Sequence, residues 1–355
     1  MKVLIYICTL ILALTLFSCD DTTYSDPHLM PVRVPGLRIR NLSLVKPVFD
    51  GTVAFPISEN GGVKIAKVMR DGNVSYSELA ADMDFDDFSV NISGECLLVH
   101  REKVVKFDRF GKITINSSIP EYNGVNNPIL LDNGDISYVD WNTNNEMVLH
   151  TLGNNFPYVI KNGDWMYVLP FDDKWFVFNN YSSVFCICDA DGNVLSDGEL
   201  EGSVYSIKYI DGYLYILEDG GFADIESGLD YITKWSIVKM TTDGRIIYST
   251  EIEISDIYNL SIHDDKVLIT GDVIVDITKD GKYGEICILN DVNGNIISTI
   301  STDEYNGCSI VPIYVSPDPR GEYDVYAARL EAYESNLAQL VIYHTDDLSK
   351  LNIKN

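Results

Sequence analysis

The chain has 355 residues, of which 53 are acidic and 26 are basic, so its net charge is −27. Phosphate backbones require clusters of Lys and Arg, so this charge excludes nucleic acid as a partner, and it excludes docking of the protein surface on anionic lipid. Hydrophobic residues make up 46% of the chain, enough for a buried core, and the 22 Tyr and 13 Phe favour strands. Helical spacing is confined to residues 330–340.

The chain begins with a segment that is typical of an export signal. Met1 and Lys2 are followed by an almost wholly apolar stretch over residues 3–17, which ends in Leu16-Phe17-Ser18-Cys19. This ending resembles the lipobox of bacterial lipoproteins. The resemblance implies that residues 1–18 are a signal peptide and that Cys19 carries acyl chains that hold the protein on a membrane. Residues 19–35, with three prolines, are expected to form an extended tether.

Two acidic residues, Asp20 and Asp21, directly follow the proposed lipidation site. They resemble the signals by which some diderm gut bacteria move lipoproteins to the outer surface. In enterobacterial lipoproteins, an Asp at this position instead resembles an inner-membrane retention signal. The resemblance therefore implies a lipid-anchored protein of the cell envelope. We favour the outer membrane, with exposure at its surface and the inner membrane left open.

A glycine turn recurs between short runs of alternating apolar residues. The turns are Asp71-Gly72, Phe110-Gly111, Leu152-Gly153, Asp191-Gly192, Asp243-Gly244 and Asn293-Gly294. The intervals between these glycines are 39, 42, 39, 52 and 50 residues. A period of this size with hairpin signals predicts an all-β fold, a β-propeller of four-stranded antiparallel blades. The spacing favours seven blades in a single domain over residues 36–355, and turn counting alone leaves six or eight open.

The spacing also predicts how the seventh blade is built and where aromatic residues lie. Its strands are expected near residues 308–315, 323–328, 337–344 and 351–354. The tetrapeptide Glu-Tyr-Asn-Gly occurs at both 121–124 and 304–307, at the same offset from a turn glycine. Aromatic residues lie near that offset in other units, and we interpret them as wedges between blades. They are Phe85, Trp165, Tyr205 and Tyr258.

The sequence carries no recognisable catalytic, metal or cofactor motif, so we predict none of the three. The five His have no ligand spacing, and the five Cys after Cys19 form neither a disulfide framework nor a zinc motif. Residues 189–193 resemble the start of a calcium loop but also suit a tight hairpin, which we favour. The blades resemble those of quinoprotein dehydrogenases and arylsulfotransferases in fold alone, which does not carry function.

Two adjacent units are longer than the others, and this points to a binding face. The extra residues, 218–234 and 271–284, fall between the second and third strands of the fifth and sixth blades. We expect long loops there, because binding residues are often carried by loops on a rigid scaffold. Acidic and aromatic side chains in these loops suit a sugar, a cation or a basic peptide. The candidate ligand-binding residues are Phe222, Asp224, Glu226, Tyr231, Asp272, Asp276 and Tyr305.

These observations favour a non-catalytic binding or scaffold propeller for a glycan or an envelope protein, anchored to the membrane by its lipid and monomeric as a domain. The alternative is a carbohydrate-active lyase or hydrolase, or a transferase, that uses the acids of the long-loop face. The acids it would use are Asp224, Glu226, Asp272 and Asp276.

Overall fold

The computed structural model describes fourteen stretches of the chain, which hold 29 strands and two short 3-10 helices. The described residues are 32–39, 41–48, 50–119, 128–141, 147–152, 158–160, 167–179, 182–189, 191–222, 233–276, 281–302, 308–317, 321–331 and 338–351. Within them, no helix is long and apolar enough to cross a membrane. The strands form seven antiparallel sheets, so the prediction of a seven-bladed β-propeller is confirmed.

Blades 1 to 4 each contain strands of modest length. Blade 1 contains β2 (Lys46–Pro47), β3 (Val53–Glu59), β4 (Gly62–Val68) and β5 (Val74–Tyr76), with β6 (Ala80–Ala81) also paired to β4. Blade 2 contains β7 (Asp87–Val90), β8 (Cys96–His100), β9 (Lys103–Phe107) and β10 (Ile113–Ser118). Blade 3 contains β11 (Ile129–Leu130), β12 (Ile136–Trp141), β13 (Met147–Thr151) and β14 (Tyr158–Ile160). Blade 4 contains β15 (Tyr167–Phe171), β16 (Lys174–Asn179), β17 (Val184–Asp189) and β18 (Val194–Glu199).

Blades 5 to 7 are built from longer strands. Blade 5 contains β19 (Ser203–Ile210), β20 (Tyr213–Phe222), β21 (Thr233–Thr241) and β22 (Ile246–Ile252). Blade 6 contains β23 (Asp256–His263), β24 (Lys266–Asp276), β25 (Gly281–Asn290) and β26 (Ile296–Thr302). Blade 7 contains β27 (Cys308–Pro317), β28 (Tyr323–Glu331) and β29 (Ala338–Thr345), and its outer strand is β1 (Val32–Ile39). The 3-10 helices are Leu42–Leu44 and Leu348–Leu351.

The ring is closed by a strand from the other end of the chain. Strand β1 pairs antiparallel with β29, with Val32 opposite Ile342 and Ile39 opposite Ala338. This corrects the prediction for the outer strand of the seventh blade. That strand was expected at residues 351–354, but Leu351 belongs to the 3-10 helix Leu348–Leu351. The pairing also moves the start of the fold to Val32, inside the segment expected to be tether. The stretch with helical spacing, residues 330–340, has its two ends in the strands β28 and β29, and its middle lies outside the described residues.

The recurring glycines are required both by the backbone and by the neighbouring blade. Five turn glycines have φ between 73° and 88°, a region that favours glycine (Gly72, Gly111, Gly192, Gly244 and Gly294). Four of these turns also press on the preceding blade. A Cβ on Gly72 would lie 2.7 Å from Val32 Cγ1 of β1, and a Cβ on Gly294 would lie 2.5 Å from Thr250 Oγ1 of β22. Gly153, at the remaining turn, lies outside the described residues.

Hydrophobic cores fill the space between neighbouring blades. The seam between blades 5 and 6 contains Leu217, Ile237 and Ile269, all buried. The seam between blades 7 and 1, next to the closing strand, contains Val34 and Val53, which are fully buried. Each fully buried side chain of this kind stabilises the fold by about 1.5–3 kcal/mol relative to exposure. The ring is therefore held by blade-to-blade packing as much as by hydrogen bonds within each sheet.

Alternating loops give the ring two distinct faces. The crossover face carries the connections between blades, such as residues 200–203 and 253–256. It also carries the hairpin ends between the second and third strands of each blade. The turn face carries the glycine turns and the turns between first and second strands, such as Asp211-Gly212. Because antiparallel strands reverse direction at every connection, the two kinds of loop cannot share a face.

A pair of glycine substitutions separates backbone strain from the pressure of the neighbouring blade. Gly111 and Gly212 have nearly the same φ, 82° and 81°, but a Cβ on Gly111 would lie 2.7 Å from the backbone Cα of Ser77, whereas Gly212 faces open space. We expect Gly212→Ala to cost about 1 kcal/mol and Gly111→Ala to cost about 1–3 kcal/mol more. Urea unfolding of both variants measures the difference, and equal costs would show that the turn does not press on blade 1.

Candidate functional site

Long hairpins distinguish the crossover face of blades 5 to 7. Their second and third strands have 8 to 11 residues, against 5 to 7 in blades 1 to 4. Four extra residues in a strand extend it by about 13 Å. The described parts of the insertions expected as loops, residues 218–222, 233–234, 271–276 and 281–284, are strand: Phe222 pairs with Thr233, and Asp276 pairs with Gly281. Blades 5 and 6 were expected to be longer than the others, and blade 7 also has longer strands.

An exposed tyrosine lies where blade 5 meets blade 6. Tyr205 occupies a bulge in β19, because Val204 pairs with Glu218 and the next pair is Ser206 with Leu217. Bulges of this kind redirect a side chain. The Tyr205 ring packs edge-on against Trp235, with 5.0 Å between centroids, and remains 55% exposed. Trp235 is itself held by a 2.9 Å hydrogen bond from Nε1 to the carbonyl oxygen of Ser255, in the crossover to blade 6. The rigid indole therefore supports an aromatic ring that faces solvent.

The equivalent bulge in blade 6 also holds a tyrosine, but this side chain packs against the core instead of facing solvent. Tyr258 occupies the bulge in β23 and packs against the core between blades 7 and 1. Its hydroxyl donates a 2.8 Å hydrogen bond to Oδ2 of Asp272, which is 2% exposed. Burial, followed by the charge of Asp272 and this hydrogen bond, raises the pKa of Tyr258, which keeps the hydroxyl protonated. Tyr258 is therefore the wedge between blades that the sequence predicted, whereas Tyr205 is displayed.

A second buried carboxyl group lies beneath the crossover into blade 5. Glu218 on β20 is 1% exposed, and no hydrogen-bond partner of its Oε1 lies among the described residues. Burial and, to a smaller extent, the charge of Glu201 raise its pKa to about 7. Its neighbours Leu214 and Ile216 pack toward blade 4, whereas Asp272 is bonded to Tyr258 on the side of blade 7. The two carboxyl groups therefore do not converge on one point.

Exposed acids border this corner of the crossover face. Asp256 begins β23 opposite Asp272, and Glu251 and Glu253 precede the crossover into blade 6. Glu201 lies on the crossover into blade 5. We call the surface formed by Tyr205, Trp235, Glu201, Glu253 and Asp256 the acidic aromatic corner. Carboxylate oxygens accept hydrogen bonds from hydroxyl and ammonium groups, and an aromatic ring offers an apolar platform beside them.

Three of the seven ligand-binding residues predicted from the sequence lie within the described part of the chain. Asp272 is a correction, because it was expected in an exposed loop and is buried within β24. Phe222 and Asp276 lie at the far ends of β20 and β24. Four candidates, Asp224, Glu226, Tyr231 and Tyr305, lie outside the described residues, as do both Glu-Tyr-Asn-Gly segments. The sequence did not predict Tyr205, Trp235 or Glu218 as site residues, although Tyr205 lies at the offset from the turn glycine where aromatic residues recur.

The described residues contain no group of three or more His, Cys, Asp or Glu arranged to hold a metal ion. The segment that resembled a calcium loop is a hairpin turn, as predicted, because Asp189 Oδ1 accepts hydrogen bonds from the backbone N–H groups of Asp191 and Asn193. The thiols of Cys96, Cys186, Cys188 and Cys287 are free and buried, as expected for small apolar residues.

A cavity of about 540 Å³ lies on the other side of the ring, between blades 1 and 2. Arg109 lies at this cavity with its guanidinium 4.7 Å above the exposed ring of Phe110, and Lys67 forms a 2.6 Å ion pair with Asp50. The cavity has the size of a small-molecule site. Because it opens on the turn face, it is separate from the acidic aromatic corner.

Comparisons with solved structures support the fold and leave the function open. A catalytically inactive histidine-to-alanine variant of virginiamycin B lyase from Staphylococcus aureus, solved with quinupristin, is similar at a TM-score of 0.52 and 16% identity, over 88% of this chain and 98% of that one. The Pan2 WD40 domain of Neurospora crassa is similar at a TM-score of 0.52 and 10% identity, over 85% and 88%. BamB from Moraxella catarrhalis covers 89% and 100% at 14% identity, but its TM-score of 0.46 is too low to support an argument.

No family model matches the chain, and no curated protein matches it. These similarities to solved structures are at low identity, so they show the propeller fold and nothing finer. The class defined by the structure is thus a seven-bladed β-propeller with an asymmetric crossover face.

The buried carboxyl group of Glu218 should make stability depend on pH. Its pKa is raised from 4.5 to about 7 by folding, so the folded state holds this proton more tightly. As pH rises from 4.5 to 7, the unfolded chain releases the proton first and the folded state loses about 3 kcal/mol of stability from this group. We expect Glu218→Gln to flatten the pH dependence of urea unfolding over this range. The exposed control Glu199→Gln should keep the parent slope, and an unchanged slope in Glu218→Gln would contradict the assignment.

Proposed function

We propose that the chain is a lipid-anchored cell-envelope protein whose propeller binds a glycan or a protein partner on its crossover face. The observation that carries this proposal is the acidic aromatic corner beside the extended hairpins of blades 5 and 6. Tyr205 is exposed there and is held by a fixed indole, and the exposed acids Glu201, Glu253 and Asp256 lie on or beside the crossovers on either side of blade 5. A ring fixed in position loses little entropy when a ligand stacks on it, so it can serve as an anchor for binding.

The chemistry of the corner narrows the class of partner. Sugar hydroxyl groups donate to carboxylates, and the apolar side of a sugar ring can stack on tyrosine. Lysine and arginine side chains of a basic protein segment fit the same groups, through ion pairs and cation–π contacts. An anionic ligand is disfavoured, because Glu201, Glu253 and Asp256 would repel it. The proposed partner is therefore a neutral glycan or a basic protein surface.

An enzyme is the second candidate, and Glu218 is the observation that favours it. A carboxyl group with a pKa of about 7 suits general acid catalysis near neutral pH. Turnover of a glycan that Glu218→Gln abolishes and Glu199→Gln retains would overturn the non-catalytic proposal. The lack of convergence between Glu218 and Asp272 favours the binding role, because carbohydrate hydrolysis ordinarily uses a pair of carboxyl groups across one bond.

Removal of the aromatic anchor and of the hairpin end tests the binding site. We expect Tyr205→Ala to weaken partner binding about tenfold or more, because an anchor ring is lost. The matched control is Tyr76→Ala, which removes a tyrosine of similar exposure, 52% against 55%, from blade 1. Replacing residues 223–232 by Asn-Gly closes the hairpin at the Phe222–Thr233 pair. Binding would be measured on a glycan array and with envelope extracts, and full binding by both altered proteins would rule out this face.

The lipid anchor is tested separately. We expect labelled palmitate to be incorporated into the parent protein, and we expect Cys19→Ala to lose the label and be released from membranes, because the thiol that would be acylated is gone. Cys188→Ala, which changes a buried thiol in β17, is the control and should remain labelled. Membrane retention of Cys19→Ala would contradict the anchor and would leave the binding face untouched.

A further inference from the structure

A lysine in the central channel donates hydrogen bonds to neutral groups of the neighbouring blade. Lys208 lies on β19, and the innermost strands of a propeller line its central channel. Its Nζ donates to Oδ1 of Asn259 at 2.6 Å and to the carbonyl oxygen of Leu260 at 2.7 Å, both on β23. An ammonium group has three N–H donors, so these two bonds leave one for another acceptor.

The amide of Asn259 leaves further donors at the same place. Asn259 is 6% exposed, and its Nδ2 has no hydrogen-bond partner among the described residues. The orientation of the amide is set by Lys208, because turning it over would place an NH₂ group against an ammonium group. A buried donor without an acceptor costs about 1–3 kcal/mol. The amide therefore directs two N–H groups at a point where an acceptor is missing.

A second lysine adds positive charge. Lys46 begins β2, the inner strand of blade 1, and is near enough to Lys208 for its charge to affect that residue. Lys46 makes no hydrogen bond or ion pair with the described residues, although the carboxylate of Asp87 is close enough to favour its charged form. Burial and then the charge of Lys46 lower the pKa of Lys208 to about 7. Both lysine side chains keep part of their surface exposed.

We propose that the central channel binds a small oxyanion, a carboxylate or phosphate-type group, between Lys208, Lys46 and Asn259. The oxygens of such an anion would accept from Nζ of both lysines and from Nδ2 of Asn259. It would also place negative charge between two like charges that the protein otherwise holds together. In a chain of net charge −27, Lys208 is hydrogen-bonded to neutral groups and Lys46 makes no ion pair with the described residues, which fits a bound anion better than internal ion pairing. This site is independent of the partner-binding face.

Sulfate is a suitable probe, because it stays a dianion from pH 6 to pH 8.5 and its binding then reports the titration of the protein. Calorimetric titration at constant ionic strength, with chloride as the balancing salt, should give saturable binding. Since binding requires charged Lys208, affinity should fall about tenfold or more between pH 6 and pH 8.5. Competition by inorganic phosphate and by citrate at pH 6 would show which type of oxyanion is preferred.

Three variants and a control make the test decisive. Lys208→Met and Lys46→Met should each abolish sulfate binding. Asn259→Asp should abolish it as well while keeping the fold, because the new carboxylate pairs with Lys208 and repels the anion. Lys64→Met, which removes a lysine paired with Glu59 on blade 1, should bind like the parent. Absence of saturable binding to the parent, or parent-like binding by Asn259→Asp, would overturn the proposal.

Discussion

The close approach of each glycine turn to the blade before it is the constraint on which the ring depends. Two sheets alone could stack on each other at many angles. A turn that fits against the preceding blade sets both the distance and the rotation between the two blades. At Gly294 the nearest atoms belong to Tyr248 and Thr250, and at Gly244 they belong to Ser196 and Phe185. The hydrophobic seams between blades then fill a space whose width is already set. This explains why the glycines recur although the residues around them vary.

Because the turn face fixes how the blades pack, the strand ends on the crossover face can vary in length. Because the seams are set by the glycine turns and the buried cores, the second and third strands can lengthen at their other ends without disturbing the ring. Blades 5 to 7 use this freedom, and the corner around Tyr205 and Trp235 lies at the base of their extended strands. The central channel differs again, since its cations Lys46 and Lys208 lie within a strongly acidic chain. The molecule thus separates an acidic outer corner from a basic interior site.

The sequence was sufficient to predict the blades because their signals are local. A turn such as Asp191-Gly192 and the alternating strands beside it can be recognised within about twenty residues. The pairing of β1 with β29 joins residues about 300 positions apart, and no local pattern indicates it. Residues 271–276 and 218–222 contain Gly and Asp, which disfavour strands, yet their backbones are paired in register with β25 and β21. Tertiary pairing here overrides intrinsic preference.

The candidate site was predicted less well for the same reason. Asp272 was expected to face a ligand because acids in long insertions are ordinarily exposed, whereas its partner, Tyr258, comes from the neighbouring strand. The burial of Glu218 depends on the crossover at Gly202, which is packed against the Asp219 carbonyl oxygen. The location of Tyr205 was recoverable from its offset, but its exposure was not, since the equivalent Tyr258 is wedged between blades. Three-dimensional packing decided which tyrosine is available.

The closing strand has a consequence for how the protein comes to be made. Strand β1 is synthesised before every other described strand, but its partner β29 is synthesised after all of them. The ring therefore cannot be completed until the strands of all seven blades are present, and the final step joins the first described strand to the last. Such non-local pairing slows folding. For the exported protein that we propose, this delay would be an advantage, because the chain would stay unfolded until translocation had delivered the strand that completes the ring.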